Sequence, residues 1–195
     1  MSKLLITGSN GLMGNAIRGM MSSTYENLHF STRAQTDLLD MGAVCALFDT
    51  FRPDSVIHTA ARVGGIKFNL ANPAKQFFSN MQMNMNVIEA CRIYGVKNLV
   101  AFGTACAFPA DSINASEETL HAGEPYPAHR SYAYAKRMVD VQLEAYNSEY
   151  GTNWCSLIPG NIFGKFDNFN LDNGHVVPSL IRKCYEASLS GEPFK

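Results

Sequence analysis

Seven residues near the N-terminus constrain the fold of this chain more than any other segment: Gly8-Ser9-Asn10-Gly11-Leu12-Met13-Gly14. They follow directly on the apolar run Leu4–Thr7 and open a stretch of helical period over 11–21, so the chain must turn sharply from a buried strand into a helix. Glycines in such a turn let a pyrophosphate approach the backbone, and the helix N-terminus adds unpaired N–H groups and a partial positive charge. Taken alone, the same spacing also serves tight packing of helix on strand.

The rest of the chain repeats the alternation. Short apolar runs at Leu28–Ser31, Ser55–His58, 99–102 and 155–158 read as strands, and helical period covers Met41–Phe51, 73–94, 131–150 and 177–188. Pro73 stands at a helix start, and Gly95 and Gly151 stand just past helix ends. Strands separated by helices predict an α/β chain with a doubly wound parallel sheet, the Rossmann arrangement. Residues 109–130, rich in Pro, Ser, Glu and Ala, are expected to form a long loop over a cleft.

Charge and cysteine usage narrow the partners. A net charge of −1 provides no basic surface for nucleic acid and no polybasic run for an anionic membrane. The five cysteines include no CxxC pair and predict neither a disulfide framework nor a metal site, which fits a reducing, cytoplasmic setting. The stretch before Gly8 is too short for a signal peptide, and no later run has the length of a membrane span.

Two further positions bear on the ligand and the chemistry. After the second strand the sequence offers Ser31-Thr32-Arg33, where an NAD-preferring chain usually has a carboxylate; an arginine there favours the 2′-phosphate of NADP, and equally suits a solvated loop. Tyr132 and Lys136 lie four apart and so share one helix face. A tyrosine titrating near ~10 needs a cation beside it to exchange protons at neutral pH, which Lys136 can supply. Thr104, at the end of the fourth strand, adds a hydroxyl at the cleft that opens at strand carboxyl ends.

The order of strand, GxxGxxG, Ala60-Ala61, Thr104 and YxxxK resembles the extended short-chain dehydrogenase/reductases over the entire chain. A narrower resemblance, to the GDP-L-fucose synthases, comes from Ala60-Ala61-Arg62-Val63-Gly64-Gly65-Ile66, Asn69, Pro73-Ala74, Asn80 and Asn86-Val87-Ile88-Glu89-Ala90. Gly103-Thr104-Ala105-Cys106 with Pro109, Asp167-Asn168-Phe169 and His175-Val176-Val177-Pro178 extend it.

That resemblance implies NADPH-dependent epimerisation at C3 and C5 of GDP-4-keto-6-deoxy-D-mannose, then reduction at C4, giving GDP-L-fucose. It assigns proton removal and return to Cys106 and His175, and ketone reduction to Thr104, Tyr132 and Lys136. It implies that Gly8, Ser9, Asn10, Gly11, Leu12, Met13 and Gly14 hold the NADP(H) pyrophosphate, with Arg33, Asp37 and Leu38 on the adenosine side. Phe102, Gly103, Thr104, Ala105, Lys136, Pro159, Gly160, Asn161 and Ile162 line the nicotinamide half. Asn161, Arg182 and Lys183 fall where the family meets its GDP-linked deoxyhexose, and a homodimer through the helices of 73–94 and 131–150 is implied.

Departures are Asn10 for an arginine, Thr104 for a serine, Ser131 for a proline, and Gly160 and Lys165 for a threonine and a proline; none removes a catalytic group. The expected organisation is a cofactor-binding domain over 1–163 that holds the catalytic residues. An incomplete substrate-binding subdomain follows over 164–195, completed by further residues or a second chain. The rival expectations are another nucleotide-sugar reductase, epimerase or dehydratase, or a cofactor-binding fragment without catalysis.

Overall fold

The apolar runs form the strands they predict: β1 (Leu4–Thr7), β2 (Leu28–Ser31), β3 (Ser55–His58), β4 (Asn98–Phe102) and β5 (Cys155–Leu157). The structure, a computed structural model, describes residues 2–21, 25–191 and 193; residues 192, 194 and 195 of the expected subdomain lie outside it. All five strands pair in parallel in the order β2-β1-β3-β4-β5. Thr7 pairs with Ser31 and with His58, His58 with Ala101, and Phe102 with Leu157, so the carboxyl ends come level along one edge.

The helices are α1 (Leu12–Met21), α2 (Met41–Phe51), α3 (Ile66–Ala71), α4 (Pro73–Ile93), α5 (Arg130–Tyr150) and α6 (Val176–Ser190). From β1 the chain steps through α1 to β2, then returns through α2 to β3 on the other side of β1. Right-handed crossovers in opposite directions require opposite faces, which sets α1 against α2, α4 and α5. The strand order therefore reverses between β1 and β3, the position where loops diverge and open a crevice in such sheets.

Strand alternation divides the apolar residues between the faces. Leu5, Val56, Leu99 and Ala101 enter the main core with Val44 and Phe48 of α2, Val87 and Ile88 of α4, and Val139 and Leu143 of α5. Leu4 and Ile6, also buried, alternate to the opposite face. The α5–β5 corner is fixed by Asn147, whose carboxamide accepts from the Trp154 N–H (3.0 Å) and donates to the Trp154 carbonyl (2.9 Å).

One helix lies outside the expected elements, α3, formed by the six residues Ile66–Ala71, and the expected loop over 109–130 contains two single 3₁₀ turns, Glu117–Thr119 and Pro127–His129, and is pinned by an antiparallel bridge between Pro109 and Pro125. Elements of one turn are too short to display periodicity, and tertiary contacts hold them. Among the described residues no helix is long and apolar enough to cross a membrane.

Candidate active site

At the β1 end, Gly8 adopts φ +70°, and a Cβ there would lie 2.6 Å from the Cα and N of Ala60. Glycine is thus required twice over, by backbone conformation and by close approach of the loop after β3. A Cβ on Gly14 would lie 2.4 Å from the Ser9 Cα, which lets α1 start hard against the turn. Ser9 is buried, and its N–H and hydroxyl both donate to the Ser31 carbonyl (3.2 and 2.9 Å), tying the turn to the end of β2. The first bond of helical spacing runs from Asn15 N–H to the Gly11 carbonyl (3.0 Å), so the N–H groups of Leu12, Met13 and Gly14 are first-turn donors without an intrahelical acceptor. This cradle fits a phosphate group.

The β2 end borders the same crevice. Arg33 is exposed at the tip of a turn in which Gln35 N–H donates to the Thr32 carbonyl (3.0 Å). The Asp37 carboxylate accepts from Leu39 N–H (3.1 Å), while Leu38 is buried with its carbonyl held by the Asn86 carboxamide (2.8 Å). Asp37 is exposed and Leu38 buried on the stretch that follows Arg33.

Beyond β4, Gly103 N–H donates to the Leu157 carbonyl (2.8 Å) and the chain enters a 3₁₀ turn, Ala105–Ala107. Thr104 caps that turn, its hydroxyl accepting from Cys106 N–H at 3.3 Å. The Tyr132 phenol lies against this segment: burial pushes its pKa up, the Cys106 thiol adds to the rise, and a hydrogen bond with Thr104 opposes it. One turn along α5, Lys136 is buried and its ammonium donates to the Phe102 carbonyl (2.7 Å). Burial lowers its pKa to about 8.

Beneath Lys136 lies His58, 1% exposed, with Nδ1 2.7 Å from the Thr7 hydroxyl and Nε2 3.1 Å from the Asn84 carboxamide oxygen. A neutral ring that accepts from Thr7 and donates to Asn84 satisfies both contacts. Burial first, and the Lys136 charge second, lower its pKa to about 4 against a smaller opposing effect of Asn84.

A third group closes the far side. His129, three residues before Tyr132, has Nδ1 2.8 Å from the Asn69 carboxamide nitrogen, and Asn69 accepts in turn from Gln76 (2.7 Å). His175 stands at the N-cap of α6, half exposed, with Nδ1 3.8 Å from the Asp167 carboxylate. Burial lowers the His129 pKa, and the charge of His175 adds to the effect. A Cβ on Gly65 would lie 2.7 Å from the Gly174 carbonyl, so glycine lets the segment before α6 close on the loop after β3.

Residues 4–194 match the family described as NAD dependent epimerase/dehydratase. The chain belongs to that family. Relatives of this epimerase/dehydratase chain include a GDP-L-fucose synthase of Dictyostelium discoideum, 39% identical over 94% of this chain and 59% of the relative. A solved GDP-L-fucose synthetase of Naegleria fowleri bound to NADP is 37% identical, with a TM-score of 0.91 over all of this chain and 64% of that one. A Campylobacter jejuni GDP-6-OMe-4-keto-L-xylo-heptose reductase superposes equally well (TM-score 0.91, 33% identity, 96% and 54% coverage). The chain spans about 59% of the length of the curated relative it matches.

In this family member the structure gathers Thr104, Cys106 and Tyr132 at one point, with Lys136 one turn away. Pro159, Gly160, Asn161 and Ile162 continue from the carboxyl end of β5, the last three exposed. Arg182 lies on α6 and is engaged with the Glu186 carboxylate (2.7 Å) and the Phe169 carbonyl (3.2 Å), and Lys183 follows it. Burial raises the pKa of the Tyr132 phenol, and the Lys136 ammonium is directed to the Phe102 carbonyl. Sequence reasoning also missed His58, Asn84 and His129. The available signal for His58 was a polar ring ending an apolar strand.

Proposed function

We propose that this chain provides the cofactor-binding and catalytic part of an enzyme that converts GDP-4-keto-6-deoxy-D-mannose to GDP-L-fucose with NADPH. The observation that carries this reading is the meeting of a hydroxyl, a thiol and a phenol, Thr104, Cys106 and Tyr132, at the carboxyl end of β4. The N–H groups of Leu12, Met13 and Gly14 would take the pyrophosphate, Arg33 the 2′-phosphate, and Lys136 the nicotinamide ribose. When bound, NADPH supplies the hydride for C4.

The side chains supply the proton chemistry. Protons alpha to a ketone are acidic, and inversion requires one group to take a proton and another to return one from the opposite face. Cys106 and His175 fill those roles. Tyr132, kept protonated by its surroundings, donates to the ketone oxygen while Thr104 orients that oxygen. Asn161, Arg182 and Lys183 are the proposed contacts for the GDP-sugar, residues 1–163 form the cofactor domain and 164–195 belong to the substrate side. The proposed setting is cytoplasmic and the proposed assembly a homodimer, whose contact through α4 and α5 is supported by the exposed Phe77, Phe78, Met85 and Val141.

The test is incubation with NADPH and GDP-4-keto-6-deoxy-D-mannose in deuterated water, following NADPH absorbance and deuterium at C3 and C5. Exchange that survives the double change Cys106→Ser, His175→Gln refutes the assigned roles. A second reading, reduction of another GDP-4-keto sugar without epimerisation, is favoured by the similarity to the heptose reductase. Reduction without exchange would select it.

A further inference from the structure

The residue after Lys136 has no role in the chemistry above, yet it is among the most buried charges of the chain. Arg137 is 3% exposed. Its Nε donates to the Ala107 carbonyl (2.7 Å) and its Nη2 to the Gly123 carbonyl (2.7 Å), and the guanidinium lies 5.3 Å from the centre of the Tyr134 ring. Neither hydrogen-bond acceptor is a carboxylate. A buried guanidinium that commits its Nε and Nη2 donors to two backbone carbonyls, with a π face beside it, is built as a positioning device.

What it positions is specific. Ala107 is the last residue of the 3₁₀ turn, and a carbonyl at that end has no acceptor duty within the turn. Lys136 holds the carbonyl of Phe102, where the same segment leaves β4. Two consecutive cations of α5 therefore grip the two ends of residues 102–107, the segment that contains Thr104 and Cys106. The second arm of the fork reaches Gly123, whose neighbour Glu124 accepts from the Tyr134 hydroxyl (2.8 Å) and pairs with Arg130 (3.3 Å). The fork thus joins the turn, the loop closed by the Pro109–Pro125 bridge, and the helix bearing Tyr132.

We propose that Arg137 is a positioning residue that sets the placement of Thr104 and Cys106 relative to Tyr132 by clamping the Ala107 and Gly123 carbonyls to α5. This rests on the reading of the 104–106 turn as the chemical centre. A lysine at 137 keeps the charge but lacks the rigid planar fork that fixes two carbonyls in one geometry, so Arg137→Lys separates fork geometry from charge.

The variant is compared with the unaltered chain in three measurements. Iodoacetamide labelling, resolved by peptide mass, should modify Cys106 at least fivefold faster in Arg137→Lys, with exposed Cys155 and Cys184 unchanged and core Cys91 still protected. Amide exchange at Ala107 and Phe108, bonded to the Thr104 and Ala105 carbonyls, should quicken about tenfold while β1 and β3 amides hold their rates. In turnover, kcat should fall at least tenfold with KM for NADPH within twofold. Unchanged Cys106 labelling overturns the clamp, as does labelling of Cys91 in parallel, which would make Arg137 a general core residue. Labelling and exchange need no substrate. A chain inert toward GDP-4-keto-6-deoxy-D-mannose thus refutes the functional reading and leaves the clamp to be decided by those two measurements.

Discussion

His58 gives this chain an acid-sensitive core. Its ring titrates at about 4 in the folded state against 6.5 when free. A group whose folded pKa is depressed contributes stability that is complete above the free value and is lost as pH falls through the folded value. The window is therefore from about 6.5 down to about 4. Because His58 is 1% exposed, solvent screening removes little of the effect. At about pH 4.5 the free ring is almost wholly protonated and the buried ring mostly neutral, so the linkage integral gives a loss of about 2–3 kcal/mol relative to pH 7.5. The perturbation is His58→Gln, which keeps a donor and an acceptor but cannot titrate. Urea unfolding of both proteins at about pH 7.5, 6 and 4.5 measures the slope of stability with pH. Any fixed cost of the substitution cancels in the slope, as do carboxylates common to both chains. The variant should lose about 2–3 kcal/mol less than the parent on acidification. Parallel slopes would refute the assignment of a neutral, buried imidazole.

Three further outcomes follow from the site. Gly8→Ala forces a Cβ into the Ala60 backbone at φ +70°, and should lower stability by about 1–3 kcal/mol in thermal unfolding and abolish the NADPH fluorescence signal. Arg33→Ser should weaken NADPH binding by about tenfold and leave NADH binding unchanged in the same titration, the loss of one charge-assisted contact. Tyr132→Phe should reduce the rate of ketone reduction by about 10²–10⁴-fold while deuterium exchange at C3 and C5 persists, because on the proposed mechanism only the proton donor to the ketone oxygen is removed.

The strands were legible because each is an apolar run bounded by polar or turn residues, and five helices were legible because their period survives over ten residues or more. β4 begins one residue earlier than expected and β5 ends one earlier, since a strand end is decided by its neighbour's hydrogen bonds. α3 was not legible: its six residues lack a side-chain cap, and contact with the Pro127–His129 turn and the Asn69–His129 bond support it. The glycine turn and the placing of Tyr132 and Lys136 one turn apart depend on spacings of a few residues, and α5 carries both side chains.

What sequence alone determined is therefore the local part: the strand-turn-helix that can cradle a phosphate, the parallel alternation, and the chemical groups Thr104, Cys106, Tyr132, Lys136 and His175. Tertiary structure alone decided which of those groups meet and in what protonation state. His58 is neutral because β1, β3, α4 and α5 bury it together, and its partners Thr7 and Asn84 stand 51 and 26 residues away. Arg137 grips carbonyls 30 and 14 residues before it. Desolvation depends on everything packed around a group, and no spacing along the chain encodes it.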